Sequence, residues 1–426
     1  MKKYPEYINS DIAWIGNIPS HWKIKHLRSY LRMVSDKGHP NETLLSVTRE
    51  QGVIVRNVES KEENHNFIPD DLTNYKLVKV GQFAINKMKS WQGSYAVSKF
   101  QGIVSPAYYV CELNFPNKDF FSWAIRSKSY IPFFTQYSKG IRVDQWDLSP
   151  IALKSIPFIE PPIEEQNSIV GFISDKVAKI DTLISKTEEE INLLNELKQA
   201  EVARLVTRGL NPNVQMKDSG ITWIGKIPEE WEIKRIAILF SENKNKNTDY
   251  EFHRALKFNY GRLIPKNETG DISELKDTYT AYTKIKKNDI AINCLNLNYD
   301  FISQRVAIAR EDGILTSAYL IMSPRQGVNA EYYNYFFKSM DNKKLFHGMG
   351  TGIRLTLSYS ELKKQYVIVP PVEEQSAIVA AIEVLNSKVD NLTSQLKKQI
   401  SCLQELKQRV ISDAVTGKID VRDYNN

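Results

Sequence analysis

Few residues of the chain stand at the spacing that a catalytic site requires. Residues 220–227, Gly-Ile-Thr-Trp-Ile-Gly-Lys-Ile, follow a phosphate-binding loop up to the last position, where Ile227 replaces the hydroxyl residue that would hold magnesium. Residues 211–213, Asn-Pro-Asn, lack the second proline and the aromatic residue of an adenine methyltransferase motif. The six histidines include no HxxxH or HExxH pair. We therefore expect residues 220–227 to form a turn and residues 211–213 to form a linker. We expect no catalytic, cofactor or metal site.

Charge and composition indicate a soluble protein with an anionic partner. Lys and Arg number 57 against 50 Asp and Glu, a net charge of +7, and 42% of residues are hydrophobic. The 426 residues exceed one compact core, so at least two domains are expected. Cys111, Cys294 and Cys402 are widely spaced, which is typical of a reducing cytoplasm. Because no signal-like start and no apolar run of about 20 residues occurs, we expect a cytoplasmic protein without membrane contact.

The chain repeats itself after 209 residues. Residues 14–25, from Trp14 to Lys25, return as residues 223–234, and Pro-Pro-Ile-Glu-Glu-Gln at 161–166 returns as Pro-Pro-Val-Glu-Glu-Gln at 370–375. Weaker matches keep the same order, such as Gly-Ile-Arg at 140–142 and again at 352–354. The sequence therefore predicts a tandem duplication with one framework and two diverged interiors.

Each half is predicted to be a mixed α/β (α+β) domain followed by a long helix. Short β-branched runs bounded by Gly and Pro indicate strands, as in residues 102–110, and short helices are predicted over 120–129 and 331–340. After Pro162 and Pro371 the apolar spacing changes to that of a coiled-coil seam, over about 40 residues or ~60 Å. The predicted seam residues are Ile173, Val177, Ile180, Ile184, Thr187, Ile191 and Leu194, then Val389, Leu392, Leu396, Ile400, Leu403, Leu406 and Val410.

These segments resemble the specificity subunit of type I restriction–modification enzymes. The resemblance rests on two copies of Trp-Ile-Gly-x-Ile-Pro-x-x-Trp, each followed by a variable domain, Pro-Pro-x-Glu-Glu-Gln and a long helix, and it covers nearly the whole chain. It implies target-recognition domains at 1–160 and 211–369, and helices at 161–210 and 370–426 that pair as an antiparallel coiled coil. It also implies that each domain binds one half of a split, asymmetric site on double-stranded DNA.

The resemblance further implies enzyme partners that carry the chemistry. Two methyltransferase subunits would use S-adenosylmethionine, and two restriction subunits would use ATP and Mg²⁺, while this chain would hold no cofactor. The Glu-Glu-Gln triplets are candidates for the contact with the methyltransferase subunits, although a capped helix start explains them equally well. These residues are Glu164, Glu165, Gln166, Glu373, Glu374 and Gln375.

Loops rich in Gly and polar residues are the best candidates for DNA contact. Gln and Arg suit base edges, and Lys more often binds phosphate. The first-domain candidates are Lys87, Lys89, Trp91, Gln92, Ser94 and Arg142, and the second-domain candidates are Asn293, Asn296, Asn298 and Arg354. Residues 86–93, Asn-Lys-Met-Lys-Ser-Trp-Gln-Gly, also resemble a common subtype of these domains, from which the second domain departs. Each candidate is alternatively an ordinary solvated loop residue, and Trp91 could belong to the core.

Two other functions remain open at this point. A self-contained methyltransferase or nuclease predicts a cofactor loop and a catalytic motif, and neither occurs in the sequence. A pure scaffold predicts similar surfaces on both halves, whereas here the framework repeats and the loops diverge. The tryptophans of the repeated segment, Trp14, Trp22, Trp223 and Trp231, are interpreted as framework packing.

Overall fold

The computed structural model describes residues 2–57, 68–140, 146–266, 275–297, 301, 304–350 and 355–425. The fold is mixed α/β, as predicted, and the chain divides into two compact units. The first unit consists of residues 1–187 and 397–426, and the second consists of residues 188–396. Within the described residues, no helix combines the length and apolar character needed to cross a bilayer.

The first half of the chain contains fourteen short strands among its described residues. They are β1 (Tyr7–Asn9), β2 (Asn17–Pro19), β3 (Lys23–His26), β4 (Leu31–Val34), β5 (Leu45–Thr48), β6 (Gly52–Val55), β7 (Lys76–Val78), β8 (Phe83–Ile85), β9 (Tyr95–Val97), β10 (Gly102–Val104), β11 (Tyr109–Leu113), β12 (Ser138–Lys139), β13 (Asp147–Leu148) and β14 (Pro157–Glu160). The helices of this half are α1 (Lys118–Ile125), α2 (Ile131–Tyr137), α3 (Pro150–Ser155) and the long α4 (Ile163–Arg208).

The second half repeats this order with twelve described strands. They are β15 (Met216–Asp218), β16 (Lys226–Pro228), β17 (Glu232–Arg235), β18 (Phe240–Glu242), β19 (Leu256–Asn259), β20 (Arg262–Pro265), β21 (Thr283–Ile285), β22 (Ile290–Ile292), β23 (Val306–Ile308), β24 (Gly313–Leu315), β25 (Leu320–Pro324) and β26 (Tyr366–Val369). Its helices are α5 (Ile236–Leu239), α6 (Lys276–Thr280), α7 (Ala330–Asn342), α8 (Tyr359–Leu362) and the long α9 (Val372–Val415).

The sheets confirm that the two halves are copies of one framework. The central antiparallel sheet has the order β4-β11-β8-β9 in the first half and β18-β25-β22-β23 in the second. The surrounding ribbons correspond as well: β1-β2 to β15-β16, β5-β6 to β19-β20, β7-β10 to β21-β24, and β3-β14 to β17-β26. The segment 220–227 forms the turn between β15 and the start of β16, with no helix after it, so it is not a phosphate-binding loop.

The short helix of each half begins at an asparagine. The side chains of Asn117 and Asn329 accept hydrogen bonds from backbone N–H groups of the first turn, which stabilises the start of α1 and of α7. The predicted helix over 120–129 corresponds to α1, which ends earlier, at Ile125, and a second helix, α2, follows at Ile131–Tyr137. This second helix begins just before Pro132, whose ring fits only the first turn of a helix. The predicted helix over 331–340 lies entirely within α7.

The two long helices run antiparallel within each unit. In the first unit the beginning of α4 packs with the end of α9, since Ile169, Ile173 and Val177 share one core with Val410 and Ala414. In the second unit the end of α4 packs with the beginning of α9, with Leu205, Val206, Ile378 and Ile382 in one core. The compact units therefore cut across the four consecutive segments expected from the sequence, because each unit takes a part of both helices.

The seam of α4 follows the predicted residues, but the seam of α9 departs from them twice. Leu392 and Leu406 are 39% and 46% exposed, and Thr393 and Lys407 are half-buried instead. The regular alternation of steps of four and three, counted from Val389, selects Thr393 and Lys407. The prediction of Leu392 and Leu406 as seam residues rested on their apolar type, and it is wrong because helix geometry fixes which positions are buried.

Candidate nucleic-acid interface

The candidate loop of the first domain connects β8 to β9 and is held in one shape by the chain around it. Its middle forms a 3-10 turn, Ser90–Gln92, which Gly93 ends with a φ of +97°, a conformation that favours glycine. The N–H of Asn86 donates to the carbonyl of Ser94 at 3.0 Å and closes the loop. The hydroxyl of Thr135, on α2, donates to the carbonyl of Trp91 at 3.0 Å. The loop is therefore pre-formed, as a recognition surface should be.

Lys87 and Lys89 play different parts in this loop. The ammonium of Lys87 donates to Asp147 at 2.7 Å and lies 6.0 Å from the ring of Tyr109. The hydrogen bond to Asp147 raises the pKa of Lys87, although partial burial opposes the shift. Lys89 is exposed and carries a positive charge that is free to meet a phosphate.

The polar tip of the loop partly supports the predicted contacts. Trp91 and Gln92 are half-buried, and the ring of Trp91 lies 5.4 Å from the ring of Trp146. Ser94 is 3% exposed, so its side chain lies inside the domain, contrary to the prediction that it touches DNA. Ser94 lies directly before β9, whose first two residues, Tyr95 and Ala96, are also buried. Arg142 lies outside the described residues.

The corresponding loop of the second domain is built around a buried arginine. Arg305 is 0% exposed, and its guanidinium donates to the carbonyls of Asn293 at 3.0 Å and of Leu295 at 2.7 Å. Its backbone N–H donates to the carboxylate of Asp341, on α7, at 2.7 Å. A buried cation bound by carbonyl oxygens stabilises the backbone of Asn293 and Leu295. The described parts of the two loops are thus supported by different contacts.

The asparagines of this second loop are not equivalent. The side-chain oxygen of Asn293 accepts the N–H of Leu295 at 3.2 Å, so it shapes the loop. Asn296 is exposed, with a φ of +53° that asparagine tolerates well, and it remains available to a ligand. Asn298 and Arg354 lie outside the described residues.

Sequence reasoning missed the residues that support both loops. Asp147 and Trp146 follow the Gly-Ile-Arg segment by a few residues, but nothing in their spacing links them to Lys87 or Trp91. Arg305 offered a signal, because a lone arginine that leads into the apolar run Val-Ala-Ile-Ala needs a partner if it is buried. Cys111 and Cys294 are buried, and burial raises the pKa of each thiol to about 12, so neither is a nucleophile.

The Glu-Glu-Gln triplets mainly make hydrogen bonds to other residues of the same chain. Glu165 and Glu374 accept the indole N–H of Trp22 and Trp231 at 2.9 and 2.8 Å, 209 residues apart in both cases. Glu165 also accepts the hydroxyl of Tyr4 at 2.9 Å and lies 2.6 Å from the ring nitrogen of His21. The tryptophans are framework residues, as interpreted, since Trp22 is 3% exposed and Trp231 is fully buried.

The glutamines of the triplets are also committed within the chain. Gln166 and Gln375 donate to the carbonyls of Pro161 and Pro370, both at 2.8 Å, and both side chains are buried. With Glu165 and Glu374 they start the long helices. Glu165, Gln166 and Gln375 are buried and Glu374 is half-buried beneath Trp231, so these four side chains are not the predicted partner contacts. Glu164 and Glu373 are exposed, so for these two the prediction stands.

In the part of the chain that the structure describes, no group of three or more His, Cys, Asp or Glu side chains is placed to hold a metal ion. The described residues of the loops instead offer the exposed Lys89 and the half-buried Gln92 in the first domain and the exposed Asn296 in the second, and such side chains contact phosphates and bases.

The sequence is similar to a known protein family and to several known proteins. Residues 226–401 match the family model for the type I restriction modification DNA specificity domain. A putative type I restriction enzyme MjaX specificity subunit from Methanocaldococcus jannaschii is 22% identical over 96% of both chains. The EcoBI specificity subunit of Escherichia coli is 23% identical over 71% of this chain and 66% of its own length.

Solved structures share the fold. One chain, from a study of the assembly and conformational transition of the type I restriction–modification system, has a TM-score of 0.63 and 14% identity, over 93% of this chain and 98% of its own. The HsdS subunit of Thermoanaerobacter tengcongensis has a TM-score of 0.50 and 15% identity, over 94% of this chain and 98% of its own. Both matches extend over both halves of the duplication.

Proposed function

We propose that the chain is a specificity subunit of a type I restriction–modification system and that its two domains bind two different half-sites of one DNA target. The observation that carries this proposal is one framework with two different loops. The pair Trp22–Glu165 recurs as Trp231–Glu374. By contrast, among the described residues the loop at Trp91 is supported by Thr135 and the second loop by Arg305, two unrelated contacts. Equal frameworks with unequal binding loops suit an asymmetric, bipartite sequence.

In this proposal the chain selects the target and its partners perform the reactions. S-adenosylmethionine belongs to the methyltransferase subunits, and ATP and Mg²⁺ belong to the restriction subunits. The purified chain incubated with S-adenosylmethionine and target DNA is then expected to transfer no methyl group. Methyl transfer by a preparation free of partner subunits would contradict this part of the proposal.

A domain duplication tests the DNA-reading function directly. Residues 213–369 are replaced by residues 4–160, which keeps the 209-residue repeat, and the methylated bases of a strain with this chain and its methyltransferase are mapped. With the wild-type chain, methylation is expected at a target with two different half-site sequences, and with the duplicated chain at a target that has the first half-site sequence twice. An unchanged methylation pattern would mean that the domains do not determine the half-site sequences.

Exposed apolar residues that recur in both units support two methyltransferase partners per chain. Ile163, Leu183 and Leu406 are 41–49% exposed on the long helices of the first unit. Their counterparts 209 residues away, Val372, Leu392 and Leu197, are 39–62% exposed in the second unit. Because the same exposed apolar positions recur in both copies of the framework, they fit a contact that is made twice, with two equal partners. Glu164 and Glu373 lie beside the first member of each set.

Native mass spectrometry of the complex tests this stoichiometry. Leu406→Gln is expected to convert a complex with two methyltransferase subunits into one with a single subunit, because only the first unit loses its contact. Ile238→Gln is the matched control, since Ile238 is 57% exposed but has no apolar counterpart in the other half. Two bound subunits in both variants would place the partner contact elsewhere.

A further inference from the structure

The second unit contains a cleft that is not lined by any of the predicted DNA-contact residues that the structure describes. Its volume is about 590 Å³, and it is formed by the turn of the β19–β20 hairpin, the helix α7 and parts of α4 and α9. Every residue that lines it lies between Asn195 and Asn386, within a single compact unit. A cleft of this size accommodates a small organic ligand.

The wall of this cleft carries positive charge without a lining carboxylate. Four cations line it, namely Lys198, Arg262, Arg310 and Lys338, and none of the residues that line it is Asp or Glu. Lys198 is paired with Asp390 at 2.8 Å, and Arg310 is paired with Glu331. Arg262 and Lys338 have no hydrogen-bond or ion-pair partner within the described residues. Two unpaired cations facing one cavity favour an anionic ligand.

The charged form of Lys338 is energetically unfavourable at its position in the cleft. Burial, helped by the positive charges of Arg262 and Arg310, lowers the pKa of Lys338 to about 8, and the nearby Glu331 and Asp341 offset only part of this shift. A lysine with a strongly lowered pKa in a cleft is a common sign of a binding site. Its neighbour Asn334 is 2% exposed, and the oxygen of its side chain has no hydrogen-bond partner. A ligand that donates a hydrogen bond would remove that second penalty.

The corresponding cleft of the first unit lacks these properties. It has a volume of about 690 Å³ and is lined by three carboxylates, Glu50, Asp119 and Asp181, beside its cations. Arg126 stands where Lys338 stands in the other half, and its guanidinium is fully used by three carbonyls, those of Tyr95, Arg49 and Glu50, at 2.7–3.0 Å. The anionic preference is thus specific to the second half and does not follow from the shared framework.

We propose that the cleft of the second unit binds a nucleotide through its phosphate. Arg262 and Lys338 would bind the phosphate oxygens, and the unpartnered oxygen of Asn334 would accept a hydrogen bond from a base amino group or a sugar hydroxyl. Tyr260, which is 88% exposed on the hairpin turn, lines the same cleft and offers a ring on which a base can stack. The nucleotide is either free or a unit of a DNA strand, and both sources present the same chemistry.

Calorimetric titration of the full-length chain with AMP, in the absence of DNA and partners, tests this proposal. Wild-type protein is expected to bind AMP more tightly than inorganic phosphate, because only AMP reaches Asn334 and Tyr260. Lys338→Met and Arg262→Ser are each expected to weaken AMP binding by about tenfold or more. Arg262 is exposed at the start of β20, so its variant tests the proposal even if Lys338→Met is poorly folded. Lys364→Met, at an exposed lysine of the same unit that does not line the cleft, should leave AMP affinity unchanged.

A second titration in the presence of saturating target duplex separates the two sources. Loss of AMP binding would assign the cleft to a nucleotide of the DNA, and unchanged AMP binding would assign it to a free nucleotide. Wild-type protein that shows no AMP binding at millimolar concentration overturns the proposal, and so does equal weakening by Lys364→Met. If AMP fails to bind and Lys338→Met weakens methyltransferase binding, the cleft binds a protein carboxylate instead, which also overturns it. None of these outcomes depends on whether the domains read half-sites.

Discussion

Lys407 on α9 donates to both carboxylate oxygens of Asp181 on α4, at 2.7 and 2.8 Å. In the second unit Lys198 on α4 donates to Asp390 on α9 at 2.8 Å. Each residue of one pair lies 209 positions from its counterpart in the other, with the two helices exchanged. The tandem repeat of the sequence therefore appears in the structure as two equivalent cross-helix ion pairs.

Reversing one of these pairs tests the antiparallel register. Asp181→Lys is expected to destabilise the protein, because it places two positive charges side by side, and adding Lys407→Asp should restore most of the loss. The coupling energy is expected to be about 0.2–1 kcal/mol, since both side chains are partly exposed. Urea unfolding of the two single variants and the double variant measures it. If the double variant loses as much free energy of unfolding as the two single variants together, the two residues do not contact each other.

Removing the buried carboxylate at the start of α4 should be far more damaging than removing its exposed neighbour. Glu165→Ala leaves Trp22 and Tyr4 without an acceptor, and we expect a loss of about 2–4 kcal/mol in the free energy of unfolding. Glu164→Ala, one residue earlier, is expected to cost less than ~0.5 kcal/mol. Thermal unfolding of both variants makes the comparison, and similar losses would show that the hydrogen bonds of Glu165 contribute little.

Replacing Lys338 is expected to stabilise the protein in buffer without phosphate or nucleotide. The pKa of this lysine is about 8 in the folded protein and 10.5 ordinarily, so its charge destabilises the fold fully below pH 8. That penalty falls as the pH rises from 8 to 10.5, because the unfolded chain binds more protons in this range. Lys338→Met should therefore gain roughly 1–3 kcal/mol at pH 7 and progressively less towards pH 10.

Denaturant unfolding at pH 7, 9 and 10 measures this difference, with Lys364→Met as the control for loss of one charge. The control is expected to differ little from wild type at any of these pH values. A Lys338→Met variant that is no more stable than wild type at pH 7 would show that the lysine has a favourable partner in solution.

The two polar side chains at the first-domain loop should affect DNA binding in different ways. Gln92→Ala is expected to lose ~1–3 kcal/mol of discrimination at one base pair of one half-site, because amides pair with base edges. Lys89→Ala is expected to weaken binding to all sequences alike and to reduce its salt dependence by about one ion. Competition binding at several salt concentrations separates the two effects, with Asn296→Ala as a control that acts on the other half-site. Equal effects of Gln92→Ala on both half-sites would remove Gln92 from base readout.

The framework could be predicted from the sequence because its residues repeat. The Trp-Ile-Gly segment, the Pro-Pro pair and the apolar spacing of α4 are local patterns, and each forms the element that its spacing indicates. The failures have a shared cause. Leu392 and Leu406 look like seam residues by type, and Glu165 looks like a surface residue by charge, but packing across the chain decides both.

The cleft of the second unit lay beyond sequence reasoning for the same reason. Its cations Lys198, Arg262, Arg310 and Lys338 come from four separate elements, and no spacing rule connects them. Only the structure shows that Lys338 lacks a partner while Arg126, in the matching position, has three.

The division into units sets an order for folding during synthesis. The second unit is one continuous stretch, residues 188–396, whereas the first unit needs residues 397–426 to complete its core. Val410, Ile411 and Ala414 pack there with Trp22 and Ile173, and the backbone N–H of Asp420 bonds to the carbonyl of Lys2 at 2.9 Å. On the ribosome, the domain that is made first therefore cannot finish folding until the one made after it has left the exit tunnel. Its unfinished core would remain exposed to chaperones and proteases for most of the time that translation takes.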